Sequence, residues 1–332
     1  MPIVDPMLAA HLSKEKTDAL FNNDEWVAEE KLDGSRYTIH LSATINRVFS
    51  KNISKKNGLP VEKTENIPHI SHTILEGYDG TIIDGEVTAP GKDFRNALRI
   101  MGSSPEKALK VQIELGKAEF HSFDCLFYKG KDVRMETYTK RRALTEDVMK
   151  AFNSAGILQV KLTDQFVGPQ KKIACEAIWA RGGEGIILKY IHGTYIEGEP
   201  GRSSRQWVKV KGEITDDVVI MGFAPPTEWY AKPGEAGADG VVHPTGKHTK
   251  FHERGWIGAI EFGKYKNGTL TYIGQCSGMD EETRKEFSVH KQKYIGQVIE
   301  IKAQFRFNGG AYRHGNFVRL RPDKSPIQCV EI

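Results

Sequence analysis

From Tyr37 to Ser42 apolar and polar residues alternate, with Tyr37, Ile39 and Leu41 set against Thr38, His40 and Ser42. A period of two marks a half-buried strand. Just ahead of it, Asp33-Gly34 predicts a tight turn, with Lys31 on one side and Arg36 on the other. Residues 47–52 read as a partner strand that ends in a polar turn. Residues 81–87 form an apolar strand that carries Asp84-Gly85-Glu86, and 120–128 return to strand. Helical spacing predicts helices over 9–21, 91–117, 136–152 and 169–181. The second of these breaks at Gly102-Ser103-Ser104-Pro105, where the proline suits the first turn of a new helix. A glycine-flanked apolar strand follows at 182–189, then a strand at 207–211 in which Lys209 and Lys211 share a face.

Beyond 211–213 the pattern changes to short strands, at 218–223, 256–262, 269–275, 298–305 and 317–324, with one helix at 280–287. Five strands and a helix in this span fit a small Greek-key barrel of the oligonucleotide-binding type. The chain has 332 residues, beyond the size at which single cores usually stop growing. Two domains are therefore expected, 1–212 and 213–332. Residues 224–255, rich in Pro, Gly and His, interrupt the second domain as a long connection with no regular structure.

Composition narrows the class. Apolar residues make up 39% and charged residues 27%, as in a soluble globular protein. A net charge of +4 and a pI near 8.7 are mildly basic, so any surface for an anionic polymer must be a local patch. Cys125, Cys175, Cys276 and Cys329 are far apart with no metal-ligand spacing, which fits reduced thiols in a cytosol. No apolar run is long enough for a membrane span, and the N-terminus has no signal-peptide pattern. The expectation is a cytoplasmic protein of a bacterial, archaeal or phage-infected cell, without a targeting signal.

Some positions carry chemistry that packing does not require. Glu86 and Glu184 are carboxylates on apolar, glycine-bearing strands, and buried carboxylates are rare unless paired or metal-bound. If the face of Lys209 and Lys211 is partly buried, two ammonium groups side by side call for an anion, and a phosphate is the natural one. Lys51, Lys55 and Lys56 fit a solvated loop or a phosphate contact equally. Arg319 and Arg321 alternate on the closing strand. The 29–36 stretch, taken alone, fits a charged surface hairpin as well as a ligand-binding turn.

Read together and in order, these stretches resemble the covalent nucleotidyltransferases, and within them the ATP-dependent DNA ligases. Lys31-Leu32-Asp33-Gly34-Ser35-Arg36 resembles the nucleophile motif of that family, and Ser50-Lys51-Asn52 its next motif. Ile83-Asp84-Gly85-Glu86, Phe123-Asp124, Glu184-Gly185-Ile186-Ile187, Trp207-Val208-Lys209-Val210-Lys211 and Arg321-Pro322-Asp323-Lys324 are similar to those that follow. The resemblance runs from residue 29 to residue 324. It implies an α+β nucleotidyltransferase (adenylation) domain of antiparallel sheets with flanking helices, followed by an all-β OB-fold barrel.

The function implied is the sealing of 3′-hydroxyl/5′-phosphate nicks in double-stranded DNA by a monomeric enzyme, with ATP and Mg²⁺ or Mn²⁺. Lys31 would attack the α-phosphate of ATP and carry AMP, which passes to the DNA 5′ phosphate before the 3′ hydroxyl displaces it. Lys209 and Lys211 would contact the α-phosphate and help keep Lys31 neutral. Glu86 and Glu184 would place the metal, with hydrogen bonding to the sugar an alternative for Glu86. Glu29 would meet the adenine edge and Phe123 its face. Arg36 and Lys51 would touch the sugar and the DNA 5′ phosphate, and Arg202 a phosphate or a neighbouring carboxylate. Arg321, Asp323 and Lys324 would orient the departing pyrophosphate when the second domain closes. Residues 224–255 lie where the resemblance has a latch loop that closes on DNA.

Two features depart from the pattern. Lys51 stands where the family usually has arginine, which removes bidentate phosphate recognition. Only 30 residues precede Lys31, so a large N-terminal DNA-binding domain is not expected. An mRNA-capping guanylyltransferase shares the lysine and terminal motifs, although Trp256–Ile260 and Arg313–Phe317 resemble ligase barrels better. RNA ligases mostly lack the Arg-x-Asp-Lys ending. A non-catalytic OB-fold nucleic-acid-binding protein would leave Lys31 and both Glu-bearing strands unexplained.

Overall fold

A computed structural model describes residues 2–54, 57–92, 94–198, 205–236, 242–304, 306 and 310–331; at 92, 229–236 and 242–247 only the backbone is described. The chain forms two compact units, Met1–Val210 and Lys211–Ile332.

The first unit starts with α1 (Lys14–Phe21), shorter at its N-terminal end than the 9–21 expected, because Ala10 pairs with Val208 instead. Then come β1 (Trp26–Lys31), β2 (Ser35–His40), β3 (Arg47–Ile53), β4 (Pro60–Glu62), α2 (Pro68–Ser71) and β5 (Ile82–Thr88). Next are α3 (Phe94–Met101), α4 (Pro105–Leu115), β6 (Glu119–Tyr128), β7 (Lys131–Asp132), α5 (Tyr138–Ser154), β8 (Val160–Leu162) and β9 (Gln165–Phe166). The unit ends with α6 (Gln170–Ala180), β10 (Gly185–Tyr190) and β11 (Trp207–Lys211). α3 and α4 part at the Gly102–Ser104 break, with Pro105 in the first turn of α4.

Two sheets result. One has the order β11-β10-β1-β9, and the other β4-β3-β2-β5-β6-β7, with β8 added in parallel to β6. The turn at Asp33-Gly34 therefore does not close a hairpin. β1 pairs with β10 and β9, whereas β2 pairs with β3 and β5. The chain steps from one sheet to the other there, which excludes the charged-hairpin alternative. Gly34 is required by that step, since a Cβ on it would lie 2.3 Å from the Val87 carbonyl oxygen. Gly85 meets the same constraint, because its Cβ would fall 2.6 Å from the His121 carbonyl and 2.4 Å from the Phe120 ring.

The larger sheet packs on α3, α4 and α5 through a core that includes Ile39, Val48, Ile83, Ile100, Phe120, Val148 and Phe152, all fully buried. Each such side chain contributes about 1.5–3 kcal/mol. The smaller sheet packs on α6 through Ala28, Cys175, Ile178, Ile186 and Leu188. All four cysteines are free thiols and buried.

The second unit opens with β12 (Ile214–Ala224), β13 (Trp229–Ala236), β14 (Val242–His248) and α7 (Lys250–Glu253). β15 (Ala259–Lys266), β16 (Thr269–Cys276), α8 (Glu281–Val289), α9 (Lys291–Tyr294), β17 (Val298–Ala303) and β18 (Asn316–Leu320) follow. Five strands make an antiparallel sheet in the order β16-β15-β12-β17-β18. Its edges meet where Ser277 bridges Asn316, so the sheet curls back on itself. α8 is capped by Asp280, which accepts from the Thr283 N–H at 2.8 Å.

Two expectations need correction. Residues 224–255 are not an irregular loop, since β13 and β14 form a two-stranded ribbon and α7 follows. Proline and glycine content argues against a helix but not against an edge ribbon. The last strand ends at Leu320, so Arg321, Asp323 and Lys324 lie in the turn after it.

The first unit also buries an ion pair outright. Arg141 and Asp124 are both fully inaccessible and bond through Nε at 2.7 Å and Nη2 at 2.9 Å. Nη1 donates to the carbonyls of Glu136 and Gly193. Removing one partner leaves an uncompensated buried charge. Arg141→Met is therefore expected to lower unfolding free energy by about 3–5 kcal/mol in urea titrations. Adding Asp124→Asn should recover part of the loss, and equal stability of Arg141→Met and the unaltered protein would contradict the assignment.

Candidate active site

β1 ends at Lys31, and the loop before β10 ends at Glu184, beside it in the antiparallel register that pairs Lys31 with Gly185. The Lys31 amine donates to Glu184 Oε2 at 2.6 Å. The lysine is about one-quarter exposed and the carboxylate only 5%. The contact thus joins a reachable amine to a buried acceptor. It opens on a pocket of about 760 Å³, within the range of small-molecule sites.

Glu29, Lys31, Arg36, Lys51, Glu86, Phe123 and Lys209 all line this pocket, so seven of the expected residues meet there. Glu184 joins them through Lys31. Lys211 ends β11 and is not among the lining residues. Arg202 lies outside the described residues. Arg321, Asp323 and Lys324 belong to the second unit. There Arg321 binds Asp323 through Nε at 2.9 Å and Asp217 through Nη1 at 3.0 Å, and Lys324 also bonds Asp217.

Several lining residues hold the site as well as face it. The Arg36 fork grips Asp84 through Nε at 3.0 Å and Nη2 at 2.6 Å, and Nη1 donates to the Met7 carbonyl at 2.6 Å. Asp84 is fully buried and also accepts from the Tyr195 hydroxyl at 2.7 Å. Arg36 lies over the faces of Phe123 and Trp207, at 5.3 and 5.7 Å from their centroids. Phe123 and Trp207 meet edge to face, at 5.8 Å. The Glu29 carboxylate is 98% buried and accepts from Tyr138, from Arg142 Nη1 at 3.1 Å, from Thr163 Oγ1 at 3.0 Å and from Lys189 Nζ at 2.8 Å.

Sequence reasoning gave no role to Lys189 or Arg142, and it named Asp84 only within a motif. Lys189 is 1% exposed, and its amine also donates to the Phe123 carbonyl at 2.8 Å. Burial pulls its pKa down and Glu29 pushes back. The signal was present, because Lys189 is a charge in an apolar strand just as Glu86 is. Arg142 sits on a helix with no such contrast.

Glu86 is half-buried on β5. Desolvation pushes its carboxyl up to about 7; Lys31 and Arg36 oppose this, while Glu184 and Asp84 add to it. Carboxylates that repel one another beside a pocket suit a divalent cation, which would relieve the repulsion and take oxygen ligands. Glu86 and Glu184 are the carboxylates at this site that could hold such an ion.

Comparison with known proteins bears on this geometry. Residues 6–211 match the family described as "ATP dependent DNA ligase domain". A DNA ligase of Methanoculleus marisnigri is 27% identical over 92% of this chain and 53% of its own length. One of Archaeoglobus fulgidus is 27% identical over 96% of this chain and 55% of its own. The chain thus spans about half the length of the curated relatives it matches. Among solved structures, a Lig E DNA ligase superposes with a TM-score of 0.63 at 18% identity, covering 96% of this chain and all of its own. That likeness is one of fold.

A carboxyl whose pKa is raised by folding contributes stability that is full below its ordinary value near 4.5 and is lost as pH rises through about 7. Glu86→Gln removes this dependence. Melting temperatures of the ligand-free protein, taken from about pH 5 to about pH 8, should fall less steeply for Glu86→Gln than for the unaltered protein. Parallel curves would show that Glu86 does not titrate in this range.

Proposed function

Because this chain belongs to the ATP-dependent DNA ligase family, we propose that it seals nicks in double-stranded DNA, with Lys31 as the residue that carries AMP. The observation that carries the proposal is the Lys31–Glu184 contact at 2.6 Å on the edge of a pocket lined by cations, carboxylates and an aromatic pair. The two units would serve as the adenylation domain and, through the curled five-stranded sheet, an OB-type domain. The enzyme would act as a monomer.

A lysine attacks only as the free amine. Glu184, already the acceptor of a Lys31 hydrogen, would orient the free amine, and the proton that leaves would pass to solvent at the exposed side of Lys31. The Lys31 nitrogen then forms a bond to the α-phosphorus of ATP, the bond from that phosphorus to the bridging oxygen breaks, and pyrophosphate departs. Lys209 and Lys51, on the pocket wall, would balance charge that develops on the phosphoryl oxygens. Phe123 and Trp207 would provide an apolar face for the base. A magnesium ion held by Glu86 and Glu184 would supply further charge neutralisation. AMP next passes to the 5′ phosphate of the nick, which frees the lysine, and the 3′ hydroxyl displaces AMP to close the strand. Arg36, whose fork is committed to Asp84 and Met7, contributes chiefly by fixing Phe123 and Trp207 at the pocket. Glu29 likewise, held by Tyr138, Arg142, Thr163 and Lys189, would fix the site more than contact the adenine edge.

Incubation with α-labelled ATP and magnesium should leave label on the unaltered protein and none on Lys31→Ala. An adduct of undiminished yield on Lys31→Ala would overturn the assignment. Arg321→Ala and Lys324→Ala test the proposal that the second unit serves the first step, aligning pyrophosphate. Both should lose self-adenylation yet still seal a nick that already carries AMP on its 5′ phosphate. Equal failure on both substrates would assign these residues to nick binding.

A further inference from the structure

We propose that Glu228, His248 and His252 bind one divalent transition-metal ion of the zinc type at the base of the β13–β14 ribbon. Together these residues offer two imidazole nitrogens and a carboxylate oxygen, and the three ligand atoms lie within 4.8 Å of one another. Glu228 Oε1 stands 4.0 Å from His248 Nδ1, and the two imidazole rings stack at 4.7 Å between centroids with planes 11° apart. The site belongs wholly to the second unit and shares no residue with the pocket around Lys31.

The backbone builds this cluster in a definite way. Cross-strand register pairs Trp229 with His248, which puts Glu228 at the same end of the ribbon. The Thr249 N–H then donates to the Glu228 carbonyl at 2.8 Å, and the Thr249 hydroxyl donates to the Thr227 carbonyl. The same hydroxyl accepts from the His252 N–H at 3.3 Å and so caps α7. One threonine therefore locks the strand end that carries Glu228 to the turn that carries both histidines. His248 and His252, four apart in sequence, are held on one side of that turn.

The donor set selects the metal. Two imidazoles and a carboxylate are three protein ligands of a zinc-type tetrahedral site, with water as the fourth, whereas magnesium and calcium ask for all-oxygen shells. Zinc–nitrogen and zinc–oxygen bonds of about 2.0–2.2 Å place neighbouring ligand atoms about 3.3–3.6 Å apart. Reaching that from the present spacing needs only small rotations, of exposed side chains at Glu228 and His252 and of a partly exposed one at His248. The cations on the same short helix do not oppose a metal strongly, because Lys250 and Arg254 are both paired with Glu281. A bound ion would tie residue 228 to residues 248 and 252 and staple the two ends of the ribbon.

Cobalt(II) is a suitable probe, since its visible absorption reports the ligand set, and zinc competes for the same site. The full chain, without a polyhistidine tag, should bind one cobalt ion, which one zinc ion displaces. His248→Ala or His252→Ala should each weaken cobalt binding by more than about tenfold, as even outer partners of a metal site are worth about 10- to 100-fold. Glu228→Gln should weaken it less than either. Zinc should slow proteolysis within 229–247 in the unaltered protein and not in His248→Ala. Metal-free melting temperatures of Glu228→Gln and His252→Ala should match the unaltered protein, as both side chains are exposed. The proposal is overturned if the unaltered protein binds no cobalt. It is also overturned if His248→Ala/His252→Ala binds cobalt as tightly as the unaltered protein, or if the spectrum shows thiolate-to-cobalt charge transfer, which would place the ion on cysteine.

Discussion

A single buried carboxylate, Glu29, holds the candidate active site together. It accepts from Tyr138 and Arg142 on α5, from Thr163 just past β8, and from Lys189 on β10. Those donors come from a helix and from both sheets, so one anion ties three layers. An unpaired charge in this position would cost several kcal/mol, and removing any of its cationic partners is expected to be felt across the site. Lys31 is two residues on from Glu29 in the same strand, hence on the same face. Anchoring Glu29 therefore fixes the direction in which Lys31 leaves the strand.

The larger sheet has an equivalent anchor in Asp84, which holds Arg36 and Tyr195. Arg36 in turn lies over the rings of Phe123 and Trp207. Between the two anchors runs the short Leu32–Gly34 connection, forced against Val87 by the missing side chain of Gly34. The pocket is thus a seam between two sheets, each with its own buried acid. Lys31 on one side and Glu86 on the other meet across it. The charges inside the seam are balanced but not equally satisfied. Glu29 and Asp84 are saturated by donors, whereas Glu86 has its carboxyl raised to about 7. A site with an under-compensated acid beside a lysine is prepared for a cationic or phosphorylated ligand.

Much of this was legible in the chain. Alternation located β2, the unbroken apolar run located β5, and a charge within an apolar strand pointed to Glu86 and Glu184. The proline after Ser104 marked where α3 gives way to α4. What could not be read was which strands pair. Lys31 and Arg36 look like the two arms of a hairpin because local sequence encodes the turn but not the sheet each arm joins. Asp84 and Glu29 were named for a motif or a ligand, while their partners Arg142, Tyr138 and Tyr195 come from more than 100 residues away in sequence. The β13–β14 ribbon was missed because its prolines and glycines, which oppose a helix, are tolerated in a two-stranded edge. The placement of Arg321 and Lys324 beyond the last strand was missed for a simpler reason. Alternation continues past Leu320, but β17 begins at Val298, which takes one last backbone hydrogen bond from Arg321 at 2.8 Å and leaves Asp323 and Lys324 with no strand to pair with.

We propose that this seam makes Lys31 a nucleophile toward the α-phosphate of ATP. Peptide mapping by mass spectrometry after incubation with ATP and magnesium tests it most directly. One AMP per chain is expected, on the peptide that contains Lys31 and on the lysine nitrogen, as a phosphoramidate that acid removes. AMP found on another lysine of the pocket, such as Lys51 or Lys209, would contradict it.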